Sequence, residues 1–131
     1  MREIKFRIFD KQEEEFLNEE DYAINFVGTI FKACLDEEVF EVLDADRYIV
    51  TQYTGLKDKN DVEIYEGDIV KFIPSGEYGL VTTFGKSQNL GIEWENSRTS
   101  FFTPMFYLGC ETELEIIGNI YENPELLKGE V

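Results

Sequence analysis

The sequence contains no histidine, and its 12 Lys and Arg stand against 28 Asp and Glu, a formal net charge of −16. Without imidazole there is no Ser-His-Asp or Cys-His nucleophilic machinery and no His-ligated metal site. The scarcity of cations argues against phosphate-backbone binding, because nothing is left to neutralise a run of phosphates. Direct nucleic-acid binding is therefore not expected. Cysteine is scarce too: Cys34 and Cys110 stand alone, with no CxxC pair. No apolar run approaches the roughly 20 residues that span a bilayer. The start, Met1-Arg2-Glu3-Ile4-Lys5-Phe6, lacks the apolar core of a secretory signal. The expectation is a cytoplasmic protein with reduced thiols, no membrane and no cofactor. A Cys34–Cys110 disulfide stays open on sequence alone, though a reducing compartment would not support one.

What is present is apolar and aromatic. At 131 residues the chain is one compact domain or two very small ones. An apolar fraction of 43%, with 11 Phe, 7 Tyr and one Trp, is ample for a core. The local signal is alternation. Ile4, Phe6 and Ile8 fall on one face of an extended segment, with Lys5 and Arg7 on the other. Gln12–Asp21 is the most acidic stretch, and like charges four apart weaken a helix, so a loop is favoured there over a short helix. Strands follow at Tyr22–Cys34, where Gly28 marks a bulge, and at Val39–Leu43. Tyr48–Tyr53 is β-branched and aromatic, hence another strand. Thr54-Gly55 and the polar run Leu56–Asp61 read as a turn-rich boundary.

The remainder reads as short strands at the spacing of a small barrel. They are Val62–Tyr65, Ile69–Ile73, Tyr78–Phe84, Leu90–Trp94, Phe101–Leu108 and Glu113–Ile117. Asn123 as an N-cap, Pro124 at the first helical position and Glu125 in the first turn predict one short helical turn, ending near Lys128-Gly129. The fold class is mainly β: an N-terminal β unit over residues 1–53, then a C-terminal SH3-type small β-barrel over 54–131.

Three stretches carry a specific likeness. They are Arg2–Arg7 at the start, Gln52–Asn60 with Ile64–Val70 in the middle, and Ile117–Leu127 at the end. In order and content they resemble the YopX family of phage and prophage proteins. The resemblance implies a mostly β, phage- or prophage-encoded protein of a bacterial host, with a C-terminal SH3-type barrel. It implies no established activity and carries no catalytic or binding residue onto this chain. Two departures stand out. The turn that usually reads Asn-Gly is Asn60-Asp61 here, and Asp accepts positive φ less easily than Gly. Gln12–Asp21 is also more acidic than the family's opening hairpin.

Two constellations are candidate interaction residues. Glu66 and Asp68 are two apart around Gly67, and in an extended chain they project to one side. A hard cation needs several oxygens at once, and nothing adjacent completes a set, so no metal site is assigned. The bland alternative is a glycine bend flanked by solvated acids. The aromatics Tyr78, Trp94, Phe101, Phe102, Phe106 and Tyr107 could form a platform for a partner, or simply fill a small core. No GxSxG, P-loop or HExxH pattern occurs, and no catalytic residue is assigned.

The expected function is non-enzymatic: binding to a protein partner, copies of itself included, with exposed edge strands as a route to oligomers. Two alternatives come from other classes. An acidic DNA mimic would bind a basic host protein. A carboxylate-dependent enzyme is the other, weakened by 28 acids that make close pairs commonplace. Residues 1–50 and residues 51–131 each hold 14 acids and 6 bases, so the charge belongs to no single tail.

Overall fold

In the computed structural model, which describes residues 4–18, 21–24, 29–34, 39–84, 89–95, 101–104 and 113–128, the chain is mainly β. It divides into two compact units, Arg7–Val50 and a second made of Met1–Phe6 with Thr51–Val131.

Within Arg7–Val50, strand β1 (Phe6–Asp10) folds back antiparallel on β2 (Glu15–Phe16) in the register Phe9↔Phe16 and Asp10↔Glu15. Of the loop expected over Gln12–Asp21, Gln12–Glu14 and residues 17–18 are turn or irregular as expected, and Glu15–Phe16 is instead the short strand β2. Glu13 and Glu14 lie in the four-residue turn 11–14, and Phe9 and Phe16 stack edge to face at 5.0 Å to fasten the hairpin. Residues 19 and 20 lie outside the described residues. The stretch expected as one strand from Tyr22 is two, β3 (Tyr22–Ile24) and β4 (Ile30–Cys34). They pair antiparallel from Tyr22↔Lys32 to Ile24↔Ile30, and Ile30 is buried. Gly28 falls outside the described residues. Strand β5 (Val39–Val42) completes the order β3-β4-β5.

In the second unit, β6 (Tyr48–Lys57) runs in from Thr51 and pairs antiparallel with β7 (Glu63–Tyr65). Of the turn-rich boundary expected over Thr54–Asp61, Thr54–Lys57 is instead strand with a bulge, and residues 59–61 form the turn. The register slips between Tyr53↔Tyr65 and Lys57↔Glu63, Gly55 sits at φ 90°, and the Thr54 hydroxyl donates to Ile64 O at 2.7 Å. A glycine and a hydroxyl together supply what a regular ladder would have.

The other strands form one antiparallel sheet in the order β11-β10-β9-β8-β12. These are β8 (Asp68–Phe72), β9 (Tyr78–Phe84), β10 (Asn89–Glu95), β11 (Phe101–Pro104) and β12 (Leu114–Asn119). Its core is Ile64, Val70, Val81, Ile92, Trp94 and Leu114, with Leu56, Phe72, Leu90 and Ile116 packed against it. The predicted C-terminal turn is a 3-10 helix, Pro124–Lys128. The Asn123 carbonyl accepts the first helical bond, from Leu126 N–H, but its side-chain oxygen turns back to Asn119 N–H. No helix among the described residues is long and apolar enough to cross a membrane.

Candidate functional site

The Glu66-Gly67-Asp68 motif is a tight corner between β7 and β8. Gly67 adopts φ 94°, a left-handed conformation open to glycine at little cost. The two acids therefore do not share one side of an extended chain. Asp68 is buried, and its Oδ2 accepts the Tyr65 N–H at 2.8 Å. It is not a solvated acid, since closing the corner draws its carboxylate inward onto a backbone donor. Glu66 is half-buried, and burial raises its carboxyl pKa. The corner is held from three directions. Glu66 N–H donates to Gln52 O, Gly67 N–H to Val81 O, and Ile120 N–H to Gly67 O.

The candidate aromatics that the structure describes lie on the neighbouring strands β9, β10 and β11. Trp94 is 6% exposed in the core, its Nε1–H donating to Thr103 Oγ1 at 2.9 Å and its ring meeting Phe72 edge to face. Tyr78 on β9 is half-buried, opposite Glu95 and Lys71. Phe101 and Phe102 lie on β11 opposite Trp94 and Glu93. Phe106 and Tyr107 fall outside the described residues, as does Cys110.

A more closely built polar arrangement lies within Arg7–Val50, between residues 37 apart. Asp10 ends β1, and both its oxygens meet Arg47: Nε–H donates to Oδ1 at 2.9 Å and an Nη2–H to Oδ2 at 2.8 Å. Oδ1 also accepts the N–H groups of Gln12 and Glu13, which shapes the hairpin turn. The Arg47 hydrogen bonds, aided by these backbone donors against the opposing effect of burial, hold Asp10 at a pKa of about 2. The same pair raises the Arg47 pKa. Lys11 N–H donates to Arg47 O, tying the hairpin turn to the turn Asp44–Arg47. Exposed Glu13 and Glu14 in the hairpin turn, with exposed Glu15 at the start of β2, and exposed Asp44 and Asp46 in the other turn are thereby brought beside each other. The acidity of Gln12–Asp21 was plain in the sequence. The pairing of the two turns was not, because one arginine among acids carries no positional signal.

Apolar groups are also left open. Alternation placed Ile4, Phe6 and Ile8 on one face, but only Ile8 is buried; Ile4 is 71% and Phe6 41% exposed. Between them, Lys5 turns to Glu63 at 2.6 Å, and its carbonyl accepts the Tyr53 N–H. Val42 on β5 is 63% exposed. Among the described residues no group of three or more Cys, Asp or Glu is placed to hold a metal ion.

The family model described as YopX protein matches residues 5–128. The solved structure of protein yopX from Bacillus subtilis is similar at 18% identity and a TM-score of 0.58, covering 97% of this chain and 99% of that one. Protein EF1440 from Enterococcus faecalis is 25% identical, with a TM-score of 0.49 and the same coverage. No curated protein matches the chain.

Proposed function

This chain belongs to the YopX protein family, and on that footing we propose that it is a phage- or prophage-encoded, non-enzymatic protein that works in the host cytoplasm by binding protein, copies of itself included. We read its C-terminal sheet as an SH3-type small barrel. The observation that carries the proposal is the open apolar face of Ile4 and Phe6. Two large exposed apolar side chains two residues apart, Phe6 at the start of β1 and Ile4 just before it, are a contact surface awaiting a cover, whereas apolar residues scattered singly need none. Like charge opposes self-association in a chain of net charge −16, so screening by salt strengthens an apolar contact between copies. Light scattering across concentration and salt tests this. A mass that rises with both supports self-association, and a monomer under all conditions overturns it.

A second reading, capture of a basic protein, is favoured by the two acidic loops that Asp10 and Arg47 hold together. It predicts the opposite salt response, because screening weakens attraction between unlike charges.

A further inference from the structure

Strand β5 is the outer strand of the order β3-β4-β5. It pairs with β4 from Cys34↔Val39 to Phe31↔Val42, and the next residue, Leu43, donates its N–H to Ile30 O at 2.9 Å. Successive residues of an antiparallel ladder direct their main-chain groups to alternate sides. Because Leu43 faces β4, the N–H and C=O of Val42 and Phe40 face the open edge. The Val42 side chain is 63% exposed as well.

This edge runs directly into acid. Two residues past Val42 the turn begins, with Asp44 and Asp46 exposed. The Lys11 N–H bond to Arg47 O sets the hairpin turn, with exposed Glu13 and Glu14 and the exposed Glu15 that follows on β2, alongside. Of the cations here, Arg47 is committed to Asp10 on both oxygens. Exposed Lys11 lies in the hairpin turn and exposed Lys32 on β4 stands opposite Glu41, so acids outnumber bases along this edge.

We infer that the β5 edge receives an extended, Lys- and Arg-rich segment of a partner protein, added as a fourth strand. The main chain of Val42 and Phe40 supplies the ladder, and the neighbouring carboxylates select a basic occupant. A second copy is a poor occupant here, since self-pairing would set the same acids against one another. The inference rests on the protein-binding reading above and names the chemistry of the partner.

The probe is a synthetic peptide of alternating Lys and Val, about ten residues long, with an alternating Glu and Val peptide as control. Hydrogen exchange at the Val42 amide reads the edge directly and needs no variant. Binding of the basic peptide slows that exchange by roughly tenfold or more as the amide joins a ladder. Raising NaCl from about 50 mM to about 500 mM weakens binding roughly tenfold. Val42→Pro removes the outward N–H, spares the ladder to β4, and weakens binding by about tenfold. The control peptide leaves the Val42 amide unchanged. No binding of the basic peptide, or binding that leaves Val42 exchange unaltered, overturns the inference. Either result is separable from failure of the self-association reading, which rests on Ile4 and Phe6 and on solution mass.

Discussion

The ring of Tyr121 fills the space in which a side chain on Gly67 would begin: a Cβ there would lie 2.6 Å from Tyr121 Cε2 and 2.9 Å from its hydroxyl oxygen. The two residues belong to different sequence motifs, and Ile120 N–H donates to Gly67 O beside them. Gly67→Ala combines that collision with a φ of 94°, so it costs about 3 kcal/mol in urea unfolding. Tyr121→Ala removes the collision but leaves the backbone strain. The double variant is therefore more stable than the sum of the single losses predicts, by about 1 kcal/mol.

Asp61 occupies φ 64°, where a related turn would carry glycine. Its contact with Lys57, 3.7 Å away and largely exposed, contributes little. Asp61→Gly relieves the left-handed strain and stabilises the protein by about 0.5–1 kcal/mol, while Asp61→Val destabilises it by about 1–2 kcal/mol. Both are read from urea midpoints at constant m-value.

Asp58 joins a turn to a sheet edge. Its Oδ1 accepts the N–H groups of Asn60 and Val62, and its Oδ2 accepts that of Ile116 on β12 at 3.1 Å. Lys59 N–H donates to Leu114 O next to it, so this turn covers the outer edge of β12. Asp58→Ala removes the acceptor of three backbone N–H groups, two on the exposed residues Asn60 and Val62 and one on half-buried Ile116, and lowers stability by about 2 kcal/mol. Asp58→Asn, which can keep the Oδ1 bonds, loses about half as much. Chemical denaturation of both variants ranks them.

Two carboxyls give opposite pH signatures. The folded pKa of Asp10, about 2, lies below its ordinary 3.8, so its pairing stabilises the fold above about pH 4 and that contribution fades as pH falls toward 2. Asp10→Asn loses this acid-side slope. Glu66 has a raised folded pKa, so its ionised form costs stability at neutral pH and the cost vanishes once it is protonated. Glu66→Gln is consequently the more stable protein at pH 7, and its advantage over wild type closes on acidification toward pH 4. Thermal melts from pH 7 down to about pH 2 check both.

The strand pattern was legible where alternation and turn residues agreed. Tyr78–Phe84 and Pro124–Lys128 are formed as the local chemistry dictates. Misreadings arose where a distant partner overrode a local preference. Gln12–Glu15 forms a hairpin because Arg47 holds Asp10 and Phe9 meets Phe16, and neither partner is visible within the segment. Thr54–Leu56 stays in strand because a hydroxyl reaches Ile64 O. Burial of Asp68 follows from the handedness of Gly67, which alternation does not encode. The open face at Ile4 and Phe6 was legible as an apolar face but not as an uncovered one, because periodicity reports which residues share a side and not what lies against it.

The central claim is that the chain binds protein through that face. Sedimentation velocity on the wild type and on the double variant Ile4→Lys, Phe6→Lys tests it most directly, since both positions are exposed and the substitutions leave the core intact. The account predicts that the wild type self-associates more strongly as salt rises, while the double variant stays monomeric with an unchanged melting temperature. Identical sedimentation of the two proteins at every salt concentration would contradict it.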